Sequence, residues 1–443
     1  MDSIIPTCIV AGTTLAGLLW FWSSSSVPVP PGPSGNVIFG SALELRKSTA
    51  FWLTFANWSK KYGSIISFRL LFRRIIVIDD PKIVTYLFEK KAAQYSDRYV
   101  NQMAKLGEWD HDIIFIEYGP TLKHYRTLLQ RALNNRVALD YLPIQEYEAK
   151  RLIRRLYDTP ESFMKHIHLM AGSVAIRMVY GYKVESVEDQ LVQAAERVMS
   201  IFSDIMTPGR WMVEAFPPLR YLPKWFPGTG FHQVVASSRP ILHAYAQDTF
   251  DFTKSELAKG TAEPSFTSKL LQPDIGGELT SKEELNIKRV ASSLYGAASD
   301  TTVSAVKTFF LAMTLYPAVQ TKAQGEIACY LQQRQPGSSL FITVADREKL
   351  PYTSALVREL LRWHPVAKLT AHRSCGQDDN NVVIDDKVYR IPAHTVVIAN
   401  IWGMLHNPEV YPDPEKFIPE RYLVANPSPL PELYAFGFGR RLA

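Results

Sequence analysis

The chain has 443 residues, 47% hydrophobic and 21% charged, so it can bury a large interior and is too apolar to be a disordered or fibrous chain. Its formal net charge of +6 is small for this length, and no Lys/Arg block or basic helix with interleaved aromatics stands out. Nucleic-acid binding therefore has little support, and a mildly basic face suits anionic lipid or an acidic protein partner better.

The first element is apolar. Residues 4–22 carry only small residues and threonines among the hydrophobes, about the length needed to cross a bilayer core. This predicts a transmembrane anchor over residues 1–26; a cleavable signal peptide is the rival, disfavoured by Asp2 in place of a basic start and by the length of the apolar run. Trp20, Phe21 and Trp22 gather at the far end, where indole rings favour the headgroup zone. Cys8 in this segment and Cys329 in a predicted helix read as small buried hydrophobes, and with Cys375 they match neither a zinc site nor a disulfide framework.

A serine run leads into Val27-Pro28-Val29-Pro30-Pro31-Gly32-Pro33, where fixed φ angles and missing amide donors forbid a helix. Residues 27–35 are expected to form a stiff extended hinge between anchor and body. Ile65 to Leu70 and Arg74 to Ile78 read as two strands before a turn at Asp79-Asp80-Pro81. From there to about Ala328 helical spacing dominates, with breaks at Pro160, Gly181 and Pro208, and short extended pieces return at residues 382–384 and 395–398. No linker divides the body, so residues 36–443 are expected to form one mainly α domain with small β-sheets (α+β).

Several motifs sit in this body. Ala297-Ala298-Ser299-Asp300-Thr301-Thr302 puts an acid beside a hydroxyl in a predicted buried helix, a pair able to relay protons. Glu359-Leu360-Leu361-Arg362 places opposite charges three apart on one helix face, and Pro419-Glu420-Arg421-Tyr422 supplies a second arginine. Arg126 follows Tyr118-Gly119-Pro120, His372 precedes Arg373, and the chain ends Phe436-Gly437-Phe438-Gly439-Arg440-Arg441-Leu442-Ala443.

Taken in order, these segments resemble the cytochrome P450 (haem-thiolate monooxygenase) family, in its fungal microsomal style. The terminal loop is similar to the family's Phe-x-x-Gly-x-Arg-x-Cys pattern at Phe436, Gly439 and Arg441, with Ala443 at the place of the cysteine that ligates iron. The resemblance implies a P450-like fold that is incomplete at the C-terminus, with a membrane helix ahead of it. It implies Asp300 and Thr301 as the catalytic pair, and Arg126, His372 and Arg441 as partners of the haem propionates, with Arg373 able to serve in place of His372. It further implies a buried structural network of Glu359, Arg362 and Arg421. Ala298 replaces the usual glycine and Leu122 the usual tryptophan.

By the same resemblance the cofactor is haem, doubtful here because alanine has no lone pair to give the iron. NADPH acts through a flavoprotein reductase, dioxygen is the co-substrate, and the substrate is a lipophilic small molecule of secondary metabolism. The body is expected in the cytosol, anchored to the endoplasmic reticulum. Substrate contacts are expected from residues 101–117, 202–231, 294–301 and 366–371, in particular Trp109, Phe115, Phe202, Met206, Trp211, Met212, Phe216 and Leu369. Two readings of the alanine stay open: an active enzyme whose cysteine and following helix are missing from this reading frame, or a non-catalytic, haem-free relative.

Overall fold

A computed structural model describes residues 27–36, 39–186, 188–272, 279–335, 337 and 339–441, with the side chains of residues 135 and 441 excepted. The expected anchor, with Cys8, and the position of Ala443 lie outside the described residues.

The longer helices, in chain order, are α1 (Phe51–Tyr62), α2 (Pro120–Leu133), α3 (Leu142–Asp158), α4 (Phe163–Tyr180), α5 (Gln190–Met206), α6 (Phe231–Lys259), α7 (Ser281–Leu315), α8 (Pro317–Gln332) and α9 (Pro351–Trp363). The strands are β1 (Ile65–Leu70), β2 (Arg73–Ile78), β3 (Thr370–Arg373), β4 (Asp379–Ile384), β5 (Lys387–Ile391) and β6 (Val396–Ala399). The mainly helical reading with small sheets therefore holds, and the expected helix breaks fall where the local chemistry puts them. Gly181 closes α4 in the left-handed region at φ 74°, a conformation that costs glycine least.

Four strands form one sheet in the order β1-β2-β6-β3, with β2 and β6 parallel and the other pairs antiparallel; β4 and β5 form a separate antiparallel pair. Ile76, Ile78, Val397 and Ala399 are buried in a core that also takes Phe88, Tyr411 and Phe438. The sheet thus packs against the terminal loop. A larger core lies among α2, α4, α5, α6 and α7.

Helix α7 organises the helical part. Thr280 caps it, accepting from the Glu283 amide at 3.3 Å while the Glu283 carboxylate takes the Thr280 amide at 2.9 Å. It is 35 residues long and packs chiefly on α4.

One expectation changes, at Cys329, and the expected hinge is found in contact with the body. The proline segment is tacked to the body: Ser67 donates to the Pro31 carbonyl and Arg390 to that of Pro28, each at 2.8 Å. A Cβ on Gly32 would stand 2.0 Å from the Ser67 carbonyl oxygen, so the segment lies close along β1 at the sheet edge. Cys329 is exposed on α8, which buries only Val319 and Ala323, so it is not the core residue expected.

Among the described residues no single helix is long and apolar enough to cross a membrane. The bent pair α7 and α8, 106° apart, passes by length and composition only.

Candidate active site

In α9, the i,i+3 spacing brings Glu359 and Arg362 together with both buried: Nε and one Nη of the guanidinium donate to the two carboxylate oxygens at 2.9 Å. Arg421 reaches the same carboxylate at 3.1 Å, and the Ile418 amide donates to it at 2.8 Å. The remaining donors of Arg362 take the carbonyls of Leu405, Pro414 and Lys416 at 2.8–3.1 Å. One buried carboxylate thus faces two guanidinium groups, and the backbone carbonyls share the excess positive charge.

A cavity of about 520 Å³ opens beside the middle of α7, lined by α5, α6, α7 and the loop before α2. Its wall is mostly apolar, including Trp109, Ile114, Phe202 and Met206, and Asp300 and Thr301 lie on it. Those two are exposed to the cavity, not buried as the apolar run suggested, although the helix around them is buried at Ser299 and Val303. Thr301 Oγ1 donates to the Ala297 carbonyl at 2.8 Å, and Thr302 does the same to Ala298.

Of the expected substrate contacts, Trp109, Phe202 and Met206 line this cavity. Phe115 is buried behind Phe202, with ring centroids 6.2 Å apart. Met212 and Phe216 are exposed on the surface, Trp211 packs on the helical core with its indole N–H on the Asp204 carbonyl, and Leu369 packs on the sheet. The cavity does not draw on residues 209–231 or 366–371, and it does draw on Tyr245 of α6, which the sequence reading missed.

The expected propionate partners gather near the terminal loop. Arg126, on α2, donates to the Arg440 carbonyl. His372, on β3, lies flat against Phe88 with centroids 3.9 Å apart and bonds through Nδ1 to the Tyr95 carbonyl at 2.8 Å. Phe88 in turn meets Phe438. Gly439 sits at φ 61°, and a Cβ there would stand 2.0 Å from the Phe88 carbonyl oxygen, so only glycine lets the loop approach. The loop's buried aromatic is Phe438; Phe436 is exposed. Arg373 is engaged elsewhere, on Asp97 and, at 2.7 Å, on Glu117. Arg441 belongs to the last helical turn, Gly439–Arg441.

Arg98 was not foreseen. Its guanidinium donates to the Ala371 carbonyl beside His372, its Nε is buried with no partner, and burial lowers its pKa to about 10. A half-buried cation with an unused, buried Nε donor suits an anionic oxygen.

The comparisons with known proteins decide the family. The cytochrome P450 family profile matches residues 30–442. The chain belongs to the cytochrome P450 family. It is 37% identical to cytochrome P450 monooxygenase 208 of Postia placenta over 95% of this chain and 80% of that protein. It is also 35% identical to cytochrome P450 monooxygenase COX2 of Coprinopsis cinerea (93% and 78% covered) and 36% identical to claR of Ampulloclitocybe clavipes (93% and 75%). By family it is a monooxygenase, an oxidoreductase, and the family implies a haem-iron cofactor.

The residues fit haem at one end only. Arg98, Arg126 and His372 suit its carboxylates. Of the two described cysteines, Cys329 is exposed on α8 and the Cys375 thiol is turned to the Ala93 carbonyl at 3.4 Å, so neither offers a free thiolate beside Arg126 and the terminal loop. No cluster of three or more metal-ligating side chains occurs among the described residues.

Proposed function

We propose that this P450 body serves a haem-dependent monooxygenation of a lipophilic small molecule in fungal secondary metabolism. The observation that carries the proposal is the apolar cavity on α7 with Asp300 and Thr301 on its wall. When bound, haem iron supplies the activation of dioxygen. The chain's own part is to seat an apolar molecule against α7, exclude water, and hold a proton at Thr301 Oγ1, which the Ala297 carbonyl orients. Arg98, Arg126 and His372 are proposed to pair with the porphyrin carboxylates, and the network of Glu359, Arg362 and Arg421 to hold the terminal loop's support in place.

Electrons are proposed to come from NADPH through a membrane flavoprotein reductase, with the body facing the cytosol at the endoplasmic reticulum. The exposed Phe216, Tyr221 and Trp225 support a second membrane contact besides the anchor. The second reading is a haem-free relative that binds lipophiles. An optical titration with haemin separates the two: saturable uptake weakened by Arg98→Ala and Arg126→Ala supports the first, and no uptake supports the second.

A further inference from the structure

One end of the cavity carries polar groups that proton handling at Thr301 does not use. Trp109 is 4% exposed and its indole Nε1–H has no partner; Tyr245 is 2% exposed and its hydroxyl has none either. Between the loop before α2 and helix α7, Asp112 Oδ1 lies 2.9 Å from the Ser293 hydroxyl, which also takes the Ile113 amide at 3.3 Å. All four residues line the cavity. The Trp109 ring packs against Phe202, with centroids 5.3 Å apart.

An unpartnered buried donor costs about 1–3 kcal/mol, so these groups call for a ligand that satisfies them. Indole N–H only donates, and therefore asks for an acceptor; a carboxylate asks for a donor. A hydroxyl does both. An ammonium would suit Asp112 but has no lone pair for Trp109, and a hydrocarbon would leave both stranded. A carboxylate would meet Asp112 and Asp300 on a wall that has no Lys, Arg or His.

We propose that the cavity takes a lipophilic alcohol, its hydroxyl seated among Trp109, Asp112 and Tyr245 and its hydrocarbon running along α7 toward Asp300 and Thr301. Eight residues separate Ser293 from Thr301, so at helical rise the reacting carbon lies about 12 Å from the head group. Burial pushes the Asp112 carboxyl up to about 7, so near neutrality it is protonated part of the time and can also donate to the alcohol oxygen.

The inference rests on reading this cavity as the lipophile site, and its test does not depend on turnover. The purified full chain in detergent is loaded with the fluorescent lipophile Nile red, which is displaced by n-decane, 1-decanol, decanoic acid or decylamine. The alcohol is expected to displace at concentrations about 5–10-fold lower than the other three, the value of one hydrogen bond. Trp109→Phe, and separately Tyr245→Phe, which deletes only an unpaired hydroxyl, should each remove most of that preference. Equal displacement by alcohol and hydrocarbon, preference for the acid or amine, or a preference that survives both substitutions overturns the proposal while leaving the lipophile site intact. Failure of all four probes to displace overturns the lipophile site itself.

Discussion

The guanidinium of Arg126 donates to the backbone carbonyl of Arg440, so a helix from the first third of the chain holds the loop at its far end. The tie works with the glycine contact at Phe88, because Gly439 brings the loop backbone close enough to be held. Arg126→Ala should speed amide exchange in residues 437–441 by up to about tenfold, read by hydrogen-exchange mass spectrometry, with the sheet unaffected. Unchanged exchange would mean that the loop is held by the Phe438 packing alone.

Loss of Glu359 strands two arginines. Both lie in a region closed to water, so Glu359→Ala should cost about 3–5 kcal/mol and lower folded yield. Arg362→Ala should behave alike, and the double substitution should cost less than the sum, since the single changes each leave charge unpaired. Denaturant midpoints of the three variants measure this.

Asp112 gives the protein a pH-dependent stability. Burial is the main cause of its raised pKa, Asp110 adds to it, and the bond from Ser293 opposes it. A carboxyl with a raised pKa in the folded state holds its proton there longer than in the unfolded chain. Its contribution to stability is therefore complete below about pH 4 and is lost as the pH rises to about 7. Asp112→Asn should flatten the melting temperature across that window, and an unchanged slope would place the pH dependence in other groups.

The charge network was legible through the family resemblance, since Glu-x-x-Arg alone reads as a surface pair and only the resemblance joins it to the arginine of Pro419-Glu420-Arg421. Trp109, Phe202 and Met206 were expected as substrate contacts from the same resemblance, and they line the cavity beside α7. Asp112, Tyr245 and Arg98 were not, since one acid in a loop, one tyrosine of a helix and one arginine after Asp97 carry no period or motif. Met212 and Phe216 misled because a segment of short turns, Met212–Ala215 and Pro217–Tyr221, turns its apolar side outward. Cys329 misled for a similar reason, lying on the open face of a helix that buries little.

That outward face predicts membrane behaviour. Removing residues 1–26 should leave part of the protein bound to anionic vesicles, and Trp225→Ser with Phe216→Ser in the shortened chain should release it, because Trp225 is 80% exposed. Complete release on shortening alone, followed by flotation, would count against the second contact.

In a version of the chain completed with the haem-ligating cysteine and the helix after it, and loaded with haem, Thr301→Ala should raise the peroxide released per NADPH consumed, because the hydroxyl held on the Ala297 carbonyl is gone. Coupling equal to that of the parent would remove Thr301 from the proton path.

The most direct measurement is the reduced, carbon-monoxide-treated absorption spectrum of the protein with its present sequence after haemin titration. Saturable uptake that weakens in Arg98→Ala, without the red-shifted band of thiolate ligation, is expected, because Cys329 is exposed on α8 and the Cys375 thiol is engaged by the Ala93 carbonyl at 3.4 Å. A thiolate-type band from this sequence would contradict the placement of the haem site at the terminal loop.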